Sequence, residues 1–452
     1  MARGLKRSLG PGGVLLLTLS ALSPSSSVFV AGAGVLHMAG SGAAIAFIAG
    51  GLISALLALL YAEMGAAFPR AGGPYASVAG ALGPGAAFVL APLTALLAPT
   101  TTAFIALGLG DYLHVLAPAA PLLPLTLGGL VLAVIIASFN IEAAAWITSL
   151  FLAVEATALV ILTALSLSHP LRPLGEVLAH PQVLTGAALA PASFATLALA
   201  TVSGAWTTAG ASWAMYFAEE MEGAGRIGRV ISWAGLMAAA VIALPMVLVV
   251  LAVPDLKAML AAEAPLAAFV GQTAPGWVET AVSLGVAAAI FNSLIAIAMA
   301  YSRFLYASGR DGVWPARINR ALSALHPRLG SPYVAAAILL AVSAACVFLG
   351  ERALLVLISG DVFTGALIAV GVLVGRRAAL TGQGFRAPWH PLVPLFGLGA
   401  ALLFILADLM DPDAGRPSIL ILSGVIALAG AYYALRLRHR PGGWVVRGAE
   451  AE

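Results

Sequence analysis

Charge is what this chain lacks most. Asp, Glu, Lys and Arg make up 9% of its 452 residues, against 61% hydrophobic. So little charge cannot cover the surface of a soluble domain of this size, which leaves the lipid bilayer as its solvent. The basic residues sit at the ends of apolar segments and the net charge is only +3, so no nucleic-acid partner is expected. Cysteine is almost missing. Cys346 stands alone in apolar sequence, which excludes an intrachain disulfide and a multi-cysteine metal site; it reads as a small packing residue. The seven histidines do not cluster: His37 and His114 fall at segment ends on one face, His326 and His390 in loops on the other. No metal and no cofactor is expected, since there is also no glycine-rich phosphate loop. No nucleophile elbow is present either. No catalytic residue is assigned, which weighs against an intramembrane enzyme such as an acyltransferase. A sensor would need an added soluble domain or a long tail, and the tails are short. No segment shows strand alternation, which excludes a β-barrel.

Long apolar runs are abundant. Twelve segments follow one another at approximately 12–36, 41–68, 83–113, 121–138, 142–166, 193–217, 228–253, 277–306, 332–349, 352–375, 391–410 and 416–436. The stretches 172–192 and 254–276 are less hydrophobic and contain prolines; they read as loops with short surface helices. The 49 glycines suit close helix packing in lipid. Four of the 22 Lys and Arg, namely Arg172, Lys257, Arg352 and Arg416, fall on one face, and the rest fall on the other. The rich face includes Arg3, Lys6 and Arg7 at the start and Arg436, Arg438, Arg440 and Arg447 at the end. By the positive-inside rule both termini are cytoplasmic, in a multi-pass protein of the cytoplasmic (inner) membrane.

The first segment is interrupted at its centre. Ser23-Pro24-Ser25-Ser26-Ser27 stands inside the apolar run from Gly12 to Leu36. Pro24 removes an amide donor and biases Ser23 out of the helical region. Non-helical backbone at membrane depth is tolerated only inside protein or beside a water-filled cavity, so this reads as a broken helix lining a binding site. A plain proline kink is the simpler alternative. The basic start and Ala31-Gly32-Ala33 also fit a signal peptide with its cleavage site, but a signal core does not need the proline and serines that break this run.

Three stretches carry a family resemblance. Pro69-Arg70-Ala71-Gly72-Gly73-Pro74-Tyr75 follows the second segment, Ala218-Glu219-Glu220 ends the sixth, and Arg303 to Pro315 with its Arg310-Asp311-Gly312 core follows the eighth, completed by His326 to Pro332. In order and spacing they resemble the amino acid–polyamine–organocation (APC) superfamily. The resemblance implies an all-α membrane protein with a LeuT-type 5+5 inverted repeat plus two peripheral helices, twelve transmembrane helices in all. The whole of 1–452 is then one transporter domain, with repeats at 12–166 and 193–375 and helices 11 and 12 at 391–436. It implies a secondary transporter that moves an amino acid or related amine by alternating access. Proton-coupled transport, exchange and sodium symport are all open.

In that fold the first helix of each repeat is discontinuous. From Gly12 to Ser25 is roughly 20 Å of helix, somewhat beyond the middle of an untilted bilayer core. A half-helix starting there presents free amides and a positive dipole end, so Ser23, Ser25, Ser26 and Ser27 are expected to receive a substrate carboxylate. The second break is expected at Trp206, Thr207, Ala209, Gly210 and Ser212 in the sixth segment. Its freed carbonyls suit an ammonium group. Trp206, four residues before Gly210, resembles the aromatic lid of the arginine/agmatine exchanger branch, with simple packing as the alternative. Two positions depart from the family: Ser25-Ser26-Ser27 replaces a frequent Gly-Ser-Gly, and Ser212 stands where a glutamate is frequent.

Carboxylates within the membrane are expensive and default to function. Glu155 lies about 18 Å along its segment from Ala143, near the midplane. Some proton-coupled relatives carry a lysine in this region. Burial disfavours a charged carboxyl, so Glu155 is a candidate proton carrier, or else a neutral hydrogen-bonded structural group. Asn292 and Ser293 fall where sodium-coupled relatives carry hydroxyl ligands. Asp361, beside Gly360, reads as a helix cap, with the outer gate as its alternative. Glu63 and Asp111 lie near membrane faces and read as structural.

Overall fold

The computed structural model describes residues 4–439 except 169, 359, 382 and 383, together with Trp444 and Val446. Arg3, Arg440 and Arg447, three of the cations assigned to the arginine-rich face, lie outside the described residues. The protein is a mostly helical membrane protein. Among the described residues, eight helical runs are long and apolar enough to cross a bilayer. One of them, Pro11–Ala67, contains the first two apolar segments, and two further apolar helices, Leu122–Ala137 and Tyr333–Val347, are shorter.

The chain begins with α1 (Pro11–Leu22), which stops where Ser23 takes a left-handed backbone at φ 49°. A residue before proline is pushed out of the helical region, and αL is costly for a residue with a Cβ. Helix resumes over Pro24–Ser26, widens into a π turn over Ser27–Ala31, and continues as α2 (Gly32–Ala39). A turn at Gly40–Gly42 leads into α3 (Ala43–Ala67), followed by α4 (Pro84–Leu116), α5 (Leu122–Ala137) and α6 (Ile141–Ser168).

The second half opens with α7 (Phe194–Thr207). This helix ends before Gly210, whose φ of 142° a side chain would not permit, and the chain runs on as a 3-10 stretch over Ala211–Glu220. Such runs beyond three or four residues are uncommon and often mark hinges. Then come α8 (Ile227–Ala252), α9 (Gly276–Arg310), α10 (Tyr333–Val347), α11 (Glu351–Ile358), α12 (Asp361–Arg377), α13 (Leu392–Met410) and α14 (Gly415–Tyr432).

Two features position the site. First, α3 and α7 cross at backbone contact. A Cβ on Gly50 would lie 2.4 Å from the Ala205 nitrogen, and one on Gly204 would lie 2.7 Å from the Ala46 oxygen. Small residues at a crossing are how helices gain dispersion contact in lipid. Second, α9 is buried along most of its length, with Arg303 fully enclosed.

One loop differs from expectation. The stretch 172–192 holds the short helix Leu174–Ala179, but also a β-hairpin of β1 (Gln182–Thr185) and β2 (Ala188–Pro191). Thr185 pairs with Ala188, and Gly186 at φ 61° allows the two-residue turn. Four residues a side are too few to alternate visibly in sequence. The hairpin is held from outside: the Gln182 amide donates to Ser41 Oγ at 2.8 Å. The stretch 254–276 forms the short helices Leu256–Ala261 and Pro265–Thr273, as expected.

Candidate functional site: a cavity beside two interrupted helices

A cavity of about 580 Å³ lies between α2, α3, α7, α12 and α13. Trp206, Thr207, Ala209, Gly210 and Ser212 all line it. Trp206 is 56% exposed although it sits in an apolar helix, because its ring faces this space rather than the packed interior. The first segment contributes Ala31, Gly34, Val35 and Met38. Ser23, Ser25, Ser26 and Ser27 are not among the lining residues. The sixth-segment positions thus form cavity wall and the four serines do not, although the two breaks are neighbours: a Cβ on Gly210 would lie 2.9 Å from Leu22 Cδ1.

The serines meet Glu155 instead. Glu155 is 1% exposed, and its Oε2 accepts from Ser23 Oγ at 3.4 Å and from Asn292 Nδ2 at 3.5 Å. The Ser25 backbone N–H also donates to this carboxylate, while Ser25 Oγ donates to the Glu155 carbonyl at 2.8 Å. Ser23 Oγ reaches the Ala289 carbonyl at 3.1 Å, and Ser293 Oγ donates to the Ala21 carbonyl at 2.9 Å. The Ser27 amide is taken by the Ser23 carbonyl at 2.9 Å, and Ser27 Oγ by the Leu22 carbonyl at 3.2 Å. The positive end of the restarted helix thus already faces a carboxylate of the protein's own. Glu155, Asn292 and Ser293, named separately from sequence, come together at this one turn. Glu155 Oε1 and Asn292 Oδ1 are buried there without a hydrogen-bond partner among the described residues. Unmet buried acceptors are costly.

The three loop motifs converge at the arginine-rich end. Tyr75 Oη donates to Asp311, which joins the motif after the second segment to the one after the eighth. Arg310 forms a bidentate pair with Glu219, at 2.8 and 2.9 Å, and Arg303 pairs with Glu220. The N-terminal strand is tied down here too: the Ser8 and Leu9 amides donate to the Glu220 carbonyl at 3.0 Å, and the Glu222 amide to the Leu9 carbonyl at 2.7 Å. Glu63, fully buried, accepts from Arg376, Thr381 Oγ1 and the Ala387 amide. These contacts close one end of the bundle, opposite the end toward which the cavity lies.

Sequence reasoning missed part of the cavity wall. Asp361, exposed and the first residue of α12, lines the cavity as well as starting the helix. Its intramembrane charge was the available signal, and the neighbouring Gly360 drew the reading toward a cap. Ser54, Tyr61 and Asp408 also line the cavity. Asp408, a carboxylate in an apolar run, carried the same signal as Asp361, whereas nothing in the local sequence of Ser54 and Tyr61 sets them apart from other helix positions.

A long broken-helix bundle, closed at its arginine-rich end over a mid-bundle cavity, is a permease-like architecture. The chain belongs to the amino acid permease family, within the APC superfamily: the family's model matches residues 9–427. That is a family of permeases, not of enzymes. The chain is also similar to the human Asc-type amino acid transporter 1, at 26% identity over 343 residues, covering 72% of this chain. The match spans 63% of that relative's length.

Proposed function

We propose that the protein is a secondary transporter that carries an amino acid or related amine across the cytoplasmic membrane by alternating access. The observation that carries this reading is the pair of helix interruptions, at Ser23 and at Gly210, in a bundle that is closed at one end and hollow toward the other. Family membership and the likeness to an amino acid transporter support the substrate class. A LeuT-type 5+5 arrangement is supported by the same breaks, which fall in the first and sixth apolar segments. The eight long runs, with two segments in the first, the two shorter helices and the interrupted segment from Phe194 to Glu220 are consistent with twelve crossings. In this reading 12–166 and 193–375 are the inverted repeats, 391–436 holds the two peripheral helices, and the arginine-rich end with both termini is cytoplasmic.

Transport is coupled, in this proposal, through Glu155. A carboxyl enclosed at the α1 break can take a proton from one face and release it to the other when the bundle reorients. The unpartnered Glu155 Oε1 and Asn292 Oδ1 favour one alternative, a sodium ion bound among Asn292, Ser293 and nearby carbonyls. One experiment separates these readings: uptake of labelled amino acids and amines into proteoliposomes holding only this protein. Acceleration by an inward proton gradient in sodium-free buffer, lost in Glu155→Gln with exchange retained, is the expected result. Uptake that ignores pH and requires sodium refutes proton coupling. Uptake that needs neither makes the protein an exchanger or uniporter, and the absence of uptake for every substrate refutes transport. Trp206 serves as the lid over bound substrate, and Thr207, Ala209, Gly210 and Ser212 as its wall.

A further inference from the structure

The charge of the cavity wall is one-sided. Asp361 and Asp408 line it, at the same end of the antiparallel helices α12 and α13. No Lys, Arg or His is among its lining residues. Neither aspartate enters any of the ion pairs among the described residues. The nearest arginines beyond the rim are engaged: Arg352 pairs with Asp413 at 2.7 Å, and Arg416 Nε donates to the Leu409 carbonyl at 3.1 Å. Ser54 is 5% exposed, its side chain borders the same space, and its hydroxyl has no partner among the described residues. The Tyr61 hydroxyl stands beside the turn that carries Asp361, since a Cβ on Gly365 would meet it at 3.5 Å. The remaining wall is largely apolar, with Val35, Leu57, Trp206 and Phe404 in it.

A zwitterionic amino acid needs a donor for its carboxylate as well as an acceptor for its ammonium. The Ser25 amide at the start of the restarted first helix is already taken by Glu155, and the serines of that break are not among the cavity's lining residues. The hydroxyls of the wall can donate to either kind of ligand, but an anion beside two carboxylates that no cation of the wall pairs is disfavoured, whereas a cation there is favoured. Resting on the transport reading above, we propose that this cavity selects a net-cationic organic amine. Its ammonium sits against Asp361 and Ser54, under the negative field of Asp408, and its apolar body lies against Trp206 and Phe404. An ammonium over the faces of Tyr61 and Trp206 gains further from their ring quadrupoles.

The test is ligand-induced thermal stabilisation of the full chain in detergent, with matched probes. 2-Phenylethylamine is compared with phenylalanine, and lysine with norleucine. The first pair differs by a carboxylate, the second by a terminal ammonium. The expected result is tighter binding of phenylethylamine and lysine than of their partners, by about tenfold or more in apparent Kd. Asp361→Asn should erase most of that preference, and Asp408→Asn part of it. If Asp361→Asn does not fold, Ser54→Ala and Asp408→Asn together carry the comparison. Equal or tighter binding of phenylalanine and norleucine overturns the inference, as does a preference unchanged in folded Asp361→Asn. Proteoliposome uptake separates the two readings. Uptake of neutral amino acids that ignores Asp361→Asn removes cation selection and leaves transport standing. Binding of the amines with no uptake of any solute removes transport and leaves the cation site.

Discussion

Replacing Glu155 with glutamine or with leucine separates the hydrogen bonding of the α1 break from its charge. The carboxylate receives the Ser23 hydroxyl, the Ser25 amide and the Asn292 amide, while Oε1 and Asn292 Oδ1 have no partners. Glutamine keeps one acceptor for the three donors. Its NH₂ also gives Asn292 Oδ1 a donor, as a protonated glutamic acid would. Glu155→Gln is therefore expected to fold with stability equal to wild type or greater by about 1 kcal/mol, one neutral hydrogen bond. Leucine fills similar volume and strands two donors, the Ser25 and Asn292 amides, since the Ser23 hydroxyl still reaches the Ala289 carbonyl at 3.1 Å. At about 1–3 kcal/mol for each buried group left unmet, with partial relaxation, Glu155→Leu should lose about 2–4 kcal/mol. The assay is thermal unfolding of purified variants in one detergent, read by intrinsic tryptophan fluorescence. If Glu155→Leu is as stable as wild type, the network at the break does not hold α1, and Glu155 is not buried among those donors. If Glu155→Gln falls as far as the leucine variant, the charge itself is needed and the protonated form is not the resting one.

Other outcomes follow from neighbouring contacts. Trp206→Ala should weaken substrate binding about tenfold and raise leak, and Trp206→Phe should do less, because a flat apolar face remains; substrate affinity and flux in proteoliposomes decide, and a fully active alanine variant makes Trp206 a packing residue. Gly204→Ala sets a Cβ 2.7 Å from the Ala46 carbonyl oxygen and should cost about 1–3 kcal/mol in thermal unfolding. Gly128→Ala, which meets nothing within 4 Å inside α5, serves as its control and should be neutral or slightly stabilising. Arg310→Ala leaves Glu219 buried without its bidentate partner and should cost about 3–5 kcal/mol; a variant of wild-type stability would show that this end does not depend on the pair. Ser26→Trp should abolish substrate binding with expression intact if the break itself contacts substrate, and ligand-induced stabilisation measures this.

Much of the helical outline was legible because lipid imposes it. Apolar length, the proline at Pro24 and the glycine at Gly210 each act within a few residues, so segments and breaks can be read locally. The Asn292–Ser293 position was legible through resemblance, and Glu155 through the expense of a carboxylate in an apolar run. What connects them was not legible. That Ser25 presents its amide to Glu155 depends on α1 and α6 meeting at one height, which no local pattern encodes. The same holds for Asp361 and Asp408, which share a cavity only because α12 and α13 pack antiparallel. Tyr75 and Asp311 lie 236 residues apart, and only the fold joins them.

The two halves of the first segment have different neighbours, and this bears on how coupling would act. The first half is held by side chain to backbone bonds: Ser20 to the Thr148 carbonyl at 3.3 Å, Ser23 to the Ala289 carbonyl, and Ser293 to the Ala21 carbonyl. Past the break, Ala31, Gly34 and Val35 form cavity wall. Gly32 is pressed on Met246 of α8, where a Cβ would lie 3.0 Å from Cε. In the proposed cycle, a change in the proton or cation content at Glu155 would act on the turn between these halves, not on substrate directly. Protonation weakens the hold of Glu155 on the Ser25 amide, because a neutral acid is a poorer acceptor than a carboxylate. That frees the start of the restarted helix to shift relative to α1. In the proposed cycle the ion site and the substrate cavity are thus linked through the backbone turn at the break, and coupling between the two sites requires that this turn take a second arrangement when the cavity reorients. It also gives the serines of the break a role that does not require them to touch the substrate.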